Sequence, residues 1–185
     1  MFVSVVIPTY NRLPILQKCL DALESQLLIK EITDFEIVVI DDGSTDGTTK
    51  WIKSNPVKYP HICLYEQTHG GPALGRNLGV EKSRGDLIVF IDSDLVVEEN
   101  FLVCHVQSLI RAWQKLGNRK CFTYGSVINT SNFKQPNSEP FKLQDLSWAY
   151  FATGNVAIDK KLLEQSGLFD PVFRLYGWED LELGE

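Results

Sequence analysis

Two aspartates that follow a short apolar run have the residue type and the spacing to bind a divalent cation. Asp92 and Asp94 come directly after Leu87–Ile91, and residues two apart in an extended chain point the same way. Carboxylate oxygens favour a hard ion such as Mg²⁺ or Mn²⁺. Mg²⁺ is usually held by one or two carboxylates together with substrate phosphates, so we expect a phosphate-bearing ligand at this place.

The elements that must position these aspartates are predicted to be buried parallel strands. Leu87–Ile91 is an uninterrupted apolar run after Gly85, typical of a strand covered on both faces. Residues 2–7 and 35–40 are similar runs, and each also ends in polar residues. If these three strands are parallel, their ends lie at one edge of the sheet, where open α/β sheets bind ligands.

Helical patterns alternate with these strands. Leucines repeat at three- and four-residue steps from Leu13 to Leu27, Pro72 can begin a helix that runs to Lys82, and an apolar face runs from Phe101 to Leu116. Weaker signals predict a helix that reaches residue 54, strands at 62–65, 121–128 and 153–158, and a helix at 160–165. The alternation predicts an α/β fold whose central sheet is mainly parallel, with helices on both faces, in one domain over residues 1–185.

Composition narrows the class of protein. The chain has 185 residues, 44% of them hydrophobic and 23% charged, with a net charge of −6. This balance is typical of a globular protein, and without a long basic run it does not suggest a nucleic-acid partner. The scattered cysteines, the lack of a signal-peptide pattern and the lack of a long apolar stretch favour a cytoplasmic location, with peripheral membrane association left open.

Taken together, the motifs resemble the family 2 glycosyltransferases, enzymes of the GT-A fold that use nucleotide-activated sugars. Five segments carry the resemblance in the same order along almost the whole chain: Val5–Arg12, Glu36–Asp46, Gly71–Gly79, Ile91–Asp94 and Gly177–Gly184. Several co-ordered motifs are far more specific than any one of them alone.

The resemblance implies that residues at the strand ends bind the donor nucleotide. Thr9, Tyr10 and Asn11 would line the base pocket, and Asp41 or Asp42 would accept a hydrogen bond from the base, usually uracil. Arg76 and Asn77 would lie beside the ribose and the phosphates, and Asp92 would contact the ribose or the sugar. The full set of predicted donor-binding residues is Pro8, Thr9, Tyr10, Asn11, Asp41, Asp42, Arg76, Asn77, Asp92 and Ser93. The expected donor is a nucleotide-diphosphate sugar, with a UDP-sugar favoured and only a weak indication of UDP-galactose or UDP-GalNAc.

The resemblance also implies a metal site and a catalytic base. Asp94, with Asp92, would hold Mn²⁺ or Mg²⁺, and the metal and Arg76 would neutralise the leaving diphosphate. Asp180 would take the proton of an acceptor hydroxyl, with inversion at the anomeric carbon. Trp178 and Glu179 would shape the pocket for the sugar and the acceptor, a glycan, a lipid-linked molecule or another hydroxyl compound.

Other interpretations stay open at this point. The Asp41–Ser44 segment can be a simple turn and helix cap, and Asp180 an acid that stabilises a helix N-terminus. Asp92 and Asp94 also fit the motif of haloacid-dehalogenase phosphatases, although that motif belongs on a first strand. A sugar nucleotidyltransferase would need a glycine-rich basic loop after the first strand. Because the chain ends shortly after Asp180, we expect it to be truncated, and a non-catalytic module that binds nucleotide sugars is a further alternative.

Overall fold

The strands and helices follow the predicted alternation. The computed structural model describes residues 1–128, 130, 132 and 153–172. The strands are β1 (Phe2–Thr9), β2 (Asp34–Asp41), β3 (Ile62–Glu66), β4 (Leu87–Ile91), β5 (Phe122–Tyr124) and β6 (Asn155–Asp159). The helices are α1 (Leu13–Glu24), α2 (Thr48–Lys53), α3 (Pro72–Lys82), α4 (Phe101–Leu116) and α5 (Lys160–Ser166).

The described strands form one six-stranded sheet in the order β3-β2-β1-β4-β6-β5. β1 lies parallel to β2 and β4, and β2 lies parallel to β3. β6 runs antiparallel to β4, and β5 runs antiparallel to β6. The predicted parallel arrangement of the first four strands is therefore confirmed, with an antiparallel pair added beyond β4.

Helices cover both faces of the sheet, as predicted. Apolar residues of α1, α2 and α4 pack with one face of the strands, and residues of α3 and α5 pack with the other. β4 is buried along its whole length, which explains why its sequence is apolar at every position instead of alternating. None of the described helices has the length and apolar content needed to cross a membrane.

The first helix is shorter than its leucine pattern predicted. α1 ends at Glu24, and Leu27 lies outside it with 49% of its surface exposed. The side chains of Ser25 and Gln26 donate hydrogen bonds to carbonyls of the last turn of α1. The chain then leaves the helix axis, and Leu27 N donates to Glu99 O at 2.8 Å. The leucine spacing therefore extends to Leu27, beyond the last helical residue, Glu24.

The strand predicted at residues 121–128 is also shorter. β5 ends at Tyr124, and Gly125 lies so close to Asn155 that a Cβ atom there would be 2.4 Å from the Asn155 side-chain nitrogen. Gly125 N donates to Asn155 O, after which no further strand residues follow up to residue 128. Because β6 begins at Asn155, it has no residue left to pair with the chain beyond Gly125.

A buried carboxylate on β2 fastens the sheet to the turn before β4. The side chain of Glu36 is 2% exposed and accepts hydrogen bonds from Ser4 Oγ, Arg84 N and Arg84 Nε at 2.7 to 2.8 Å. Burial by itself raises the pKa of this carboxyl group. The hydrogen bonds from Arg84 and Ser4 outweigh burial, and the pKa lies below its ordinary value of 4.5.

Replacing Glu36 with glutamine is expected to lower the free energy of unfolding by about 1 to 3 kcal/mol at pH 7, because an amide cannot accept all of these donors. Since the pKa is lowered in the folded state, the stabilisation is present above the unfolded-state pKa and is lost as the pH falls through the folded-state value. The difference between wild type and Glu36→Gln, measured by urea unfolding, should therefore shrink below about pH 4.

Glu66→Gln is the matched control for this prediction. Glu66 lies at the end of β3, where its exposed carboxylate pairs with the exposed Lys53. Exposed ion pairs contribute about 1 kcal/mol or less, so this variant should keep nearly wild-type stability. A Glu36→Gln protein as stable as Glu66→Gln at pH 7 would contradict the fastening role.

Candidate active site

The carboxyl ends of β1, β2 and β4 lie at the same edge of the sheet. Thr9, the last residue of β1, pairs in register with Asp41, the last residue of β2. β4 lies parallel on the other side of β1 and ends at Ile91, directly before Asp92. The acidic segments at Asp41–Asp42 and Asp92–Asp94, about 50 residues apart in the sequence, therefore lie at one edge of the sheet, as parallel strands require.

A buried arginine holds the first aspartate after β4. Arg76 of α3 is 1% exposed, and its Nη2 donates to Asp92 Oδ1 at 3.1 Å. Its guanidinium group also lies 5.7 Å from the ring centroid of Phe169. α3 reaches this position because it packs very closely on β1: a Cβ atom at Gly79 would lie 2.3 Å from Val6 Cγ1. The glycine thus lets α3 deliver a positive charge to Asp92.

A second arginine pairs with the other aspartate. Arg12 lies between β1 and α1, and its Nη1 contacts Asp94 Oδ2. The Arg12 and Asp94 side chains are 51% and 45% exposed. Asp94 is therefore open to solvent and held by a partner that can move, whereas Asp92 is held by a buried one.

The negative charge of Asp92 and Asp94 affects a buried thiol of α1. Cys19 of α1 is fully buried, and its Sγ lies 4.0 Å from Asp92 O. Burial, and then the negative charges of Asp94 and Asp92, raise the pKa of this thiol far above its ordinary range. Cys19 therefore stays a neutral thiol. All four cysteines are free, and Cys104 is exposed.

The loop after β1 is tied to the loop after β2. Asn11 has a φ of +51°, a conformation that asparagine tolerates better than most residues. Its Oδ1 accepts a hydrogen bond from Thr45 N at 2.7 Å, and its backbone N–H donates to Ser44 Oγ at 2.9 Å. Asp46 accepts the backbone N–H of Leu13. Asn11 thus orders both loops, and its predicted contact with the donor stays a prediction.

Two aspartates at the end of β2, Asp41 and Asp42, are buried and accept several hydrogen bonds. Asp41 accepts from Ser44 N and from the hydroxyl of Thr49. Asp42 accepts from a set of donors in the loop before α3: Gln67 Nε2, Gly70 N, Gly71 N and His69 Nδ1, at 2.6 to 2.9 Å. These hydrogen bonds connect Asp42, at the end of β2, to the loop that leads into α3. Its predicted hydrogen bond with the base, like that of Asp41, is not tested by these contacts.

An aromatic stack and a buried hydroxyl complete the edge beside β1. The half-exposed ring of Tyr10 stacks on His69. Thr9 is 3% exposed, and its hydroxyl has no hydrogen-bond partner among the residues that the structure describes. Pro8 precedes them within β1, and Ser93 is buried between the two aspartates that follow β4. Aromatic and polar groups of this kind suit a flat, polar ligand.

Of the remaining predicted residues, one is described and three are not. The donor contact predicted for Asn77 stays a prediction, and the described contacts of its amide group are with Phe169: Nδ2 donates to Phe169 O at 2.7 Å and Oδ1 accepts from Phe169 N at 3.0 Å. Asn77 holds the segment that packs on Arg76. Trp178, Glu179 and Asp180 lie outside the described residues, so their predicted roles carry no structural account.

Sequence reasoning missed Arg12 and His69 as members of this edge. Each lies in a loop next to a recognised motif residue, Arg12 after Asn11 and His69 before the glycines that precede α3. The signal that could have found them is their charge or hydrogen-bonding capacity beside several carboxylates. An acidic strand-end cluster needs such partners even without a metal.

The donor groups at this edge fit a divalent cation only in part. In the described ranges, no group of three or more His, Cys, Asp or Glu residues is placed to hold a metal. Directly after β4, Asp92 and Asp94 offer two carboxylates as ligands. Two carboxylates suit Mg²⁺ or Mn²⁺ when substrate phosphates provide further ligands, and they do not suit a metal held by protein alone.

The comparisons with known proteins agree with this architecture. The model of the family described as glycosyl transferase family 2 matches residues 4–167. The uncharacterized glycosyltransferase YfnE of Bacillus subtilis is 28% identical over 236 aligned residues, an alignment that covers 100% of this chain and 59% of YfnE. The chain therefore spans less than two thirds of this relative.

Solved structures confirm the GT-A fold. S. aureus TarS in complex with UDP superposes with a TM-score of 0.69 at 24% identity, over 100% of this chain and 54% of that one. The mannosyltransferase PcManGT from Pyrobaculum calidifontis, in complex with GDP-Man and Mn²⁺, gives a TM-score of 0.66 at 24% identity, over 97% of this chain and 49% of that one.

Proposed function

This chain belongs to glycosyl transferase family 2, and from that premise we propose that it transfers a sugar from a nucleoside-diphosphate donor to an acceptor hydroxyl with the help of a divalent cation. The observation that carries the proposal is the pairing of Asp92 and Asp94 with two different arginines at the carboxyl edge of the sheet. Guanidinium groups bind phosphates and carboxylates bind metal, so one place offers both halves of a diphosphate site.

We assign different roles to Asp92 and Asp94 because one pairs with a buried arginine and the other with an exposed one. Asp92 is fixed by the buried Arg76, so it is suited to orient the donor's ribose or sugar and to share the cation. Asp94 is suited to be the principal metal ligand, because its exposed pair with Arg12 is worth about 1 kcal/mol or less. Arg12 and Arg76 then face the negative charge that develops on the leaving diphosphate. A bound Mn²⁺ or Mg²⁺ supplies further positive charge there.

The base of the donor is proposed to bind beside the end of β1. Tyr10 offers an exposed aromatic ring, and the buried hydroxyl of Thr9 retains hydrogen-bonding capacity. TarS is solved with UDP and PcManGT with GDP-Man. We propose a UDP-sugar as the first donor to test and a GDP-sugar as the second.

The chemical step is proposed to be a single displacement. Asp180 takes the proton of the acceptor hydroxyl while that oxygen bonds to the anomeric carbon. The bond from this carbon to the donor oxygen breaks, its electron pair stays with the diphosphate, and the configuration inverts. Trp178 and Glu179 shape the pocket for the sugar and the acceptor. A glycan or lipid-linked hydroxyl, as in polysaccharide synthesis, is the proposed acceptor class.

Release of the nucleoside diphosphate tests the function directly. The purified chain is incubated with UDP-sugars and GDP-sugars, Mn²⁺ and a panel of glycan and lipid-linked acceptors, and free UDP or GDP is measured. We expect release that depends on both acceptor and metal. Calorimetric binding of UDP with Mn²⁺ but no release with any acceptor would replace transfer by a non-catalytic binding function. If the chain shows no nucleotide binding and no nucleotide release, the proposal is refuted.

A further inference from the structure

We propose that His69 is a positioning residue for the nucleobase of the donor. It backs the ring of Tyr10 and is itself fixed by Asp42, so that the base meets a rigid aromatic surface. The inference rests on the proposed function, because it needs a nucleotide ligand at the carboxyl edge of the sheet. It adds a residue that neither the motifs nor the comparisons assign.

The stack between the two rings is the first observation. The ring centroids of Tyr10 and His69 lie 4.1 Å apart with an angle of 25° between the ring planes. Both residues remain partly open to solvent, with Tyr10 43% exposed and the His69 side chain 56% exposed. A stack that stays exposed at the proposed donor site offers flat π surface to a ligand instead of filling a core.

The anchoring of His69 is the second observation. Its Nδ1 lies 2.9 Å from Asp42 Oδ2 and 3.1 Å from Asp42 O. Both oxygens are acceptors, so Nδ1 carries the proton and donates. Asp42 is itself buried, and it is held by the backbone N–H groups of Gly70 and Gly71.

The turn beneath the histidine limits its movement further. Gly43 has a φ of +81°, and a Cβ atom there would lie 3.2 Å from His69 N. Two contacts therefore restrict the imidazole and its backbone: the close approach of Gly43 to His69 N, and the hydrogen bonds with Asp42. Through the stack, this rigidity passes to Tyr10, whose loop is at the surface.

Rigidity of this kind affects binding through entropy. A half-exposed tyrosine without a neighbour samples several side-chain rotamers and must be immobilised when a base stacks on it. Holding the ring in advance removes much of that cost, so His69 raises the affinity for ligands that carry a base. A ligand with phosphates alone does not use the ring, and its affinity should not depend on His69.

The chain contains a matched control at the opposite edge of the sheet. His61, just before β3, stacks on Phe35 with ring centroids 4.2 Å apart and an angle of 19°. Its Nδ1 lies 2.5 Å from Glu24 Oε2. The same combination of aromatic ring, histidine and carboxylate thus occurs far from the strand ends, where no base is proposed to bind.

The test uses three substitutions and three probes. His69→Asn can still donate to Asp42 but loses the ring, His69→Phe keeps a ring, and His61→Asn repeats the first change at the control stack. Calorimetry measures UDP and GDP in the presence of Mn²⁺, and pyrophosphate as a probe without a base. We expect His69→Asn to lower the affinity for whichever of UDP and GDP binds more tightly by about three- to tenfold. The affinity for pyrophosphate should not change. His69→Phe keeps the stacked ring without the hydrogen bond to Asp42 and should recover part of the loss, and His61→Asn should bind like wild type.

The other possible results would refute either the positioning role alone or the proposed function together with it. Unchanged nucleotide affinity in His69→Asn, or an equal loss for nucleotide and pyrophosphate, refutes the positioning role while the proposed function stands. The same holds if His69→Phe binds as weakly as His69→Asn. If the wild-type chain binds neither UDP nor GDP, the proposed function fails and the inference fails with it. Thermal unfolding of each variant confirms that the compared proteins are folded.

Discussion

Replacing Asp180 with asparagine is expected to slow sugar transfer by roughly 10²- to 10⁴-fold, the usual contribution of a general base. Asparagine has nearly the same shape but cannot take the proton of the acceptor hydroxyl. The donor nucleotide, in contrast, is proposed to be held by residues at the ends of β1, β2 and β4, so UDP affinity should stay near wild type. Rates of UDP release and calorimetric UDP binding are measured on the same preparation.

The separation between rate and affinity is what identifies a base. A variant that loses transfer and UDP binding together would indicate that Asp180 supports the donor site, and equal transfer rates would show that it is not the base. Asp170→Asn is the matched control, since Asp170 is an earlier acid whose carboxylate accepts the backbone N–H of Val172 at 2.8 Å. This change should leave both quantities close to wild type.

Elements with strong local signals were predictable from the sequence. α3, β4 and α4 begin and end where the sequence places them, at Pro72–Lys82, Leu87–Ile91 and Phe101–Leu116. Proline at a first helical position, an unbroken apolar run and a continuous amphipathic face each depend only on neighbouring residues. The meeting of the strand ends followed because parallel strands order their carboxyl ends at one edge.

Contacts between loops were not predictable in the same way. The pairing of Arg12 with Asp94 joins residues 82 positions apart, and the Asn77 side chain meets Phe169 over 92 positions. Such contacts depend on how closely α3 and the first loops pack on the sheet, which periodicity does not report. The hydrogen bonds between the Asn77 amide and the Phe169 backbone are the clearest case, because nothing in the sequence near Asn77 points to Phe169.

The arrangement of charges explains how the site can exist before it binds anything. Several carboxylates at one edge repel one another, and the structure offsets this with Arg76 and Arg12 for the acids after β4 and with hydrogen bonds for Asp41 and Asp42. Within the described part of the chain, Arg12 is the partner that a divalent cation at Asp94 would displace. Because the pair is exposed, this competition costs at most about fivefold in metal affinity.

Replacing Asp94 with asparagine is therefore expected to weaken Mn²⁺-dependent UDP binding by about 10- to 100-fold, the range seen even for groups that only support metal ligands. Without metal the loss of affinity should disappear or reverse in sign. The substitution removes a negative charge that repels the diphosphate and releases Arg12 to bind it, so UDP affinity in the presence of EDTA should be equal to or higher than that of wild type. Calorimetric titrations with UDP, with Mn²⁺ and with EDTA, measure both effects.

The control for this prediction lies at the other end of the same strand. Asp86 is an exposed acid directly before β4, whereas Asp94 follows β4 at the edge where the arginines lie. Asp86→Asn changes the net charge equally, so it accounts for any long-range electrostatic effect on the diphosphate. If Asp94→Asn and Asp86→Asn shift the Mn²⁺-dependent affinity alike, Asp94 is not a metal ligand. A loss that is confined to Asp94→Asn and that is absent or reversed in EDTA places the cation beside this carboxylate, because Asp86→Asn removes the same general charge without removing a metal ligand.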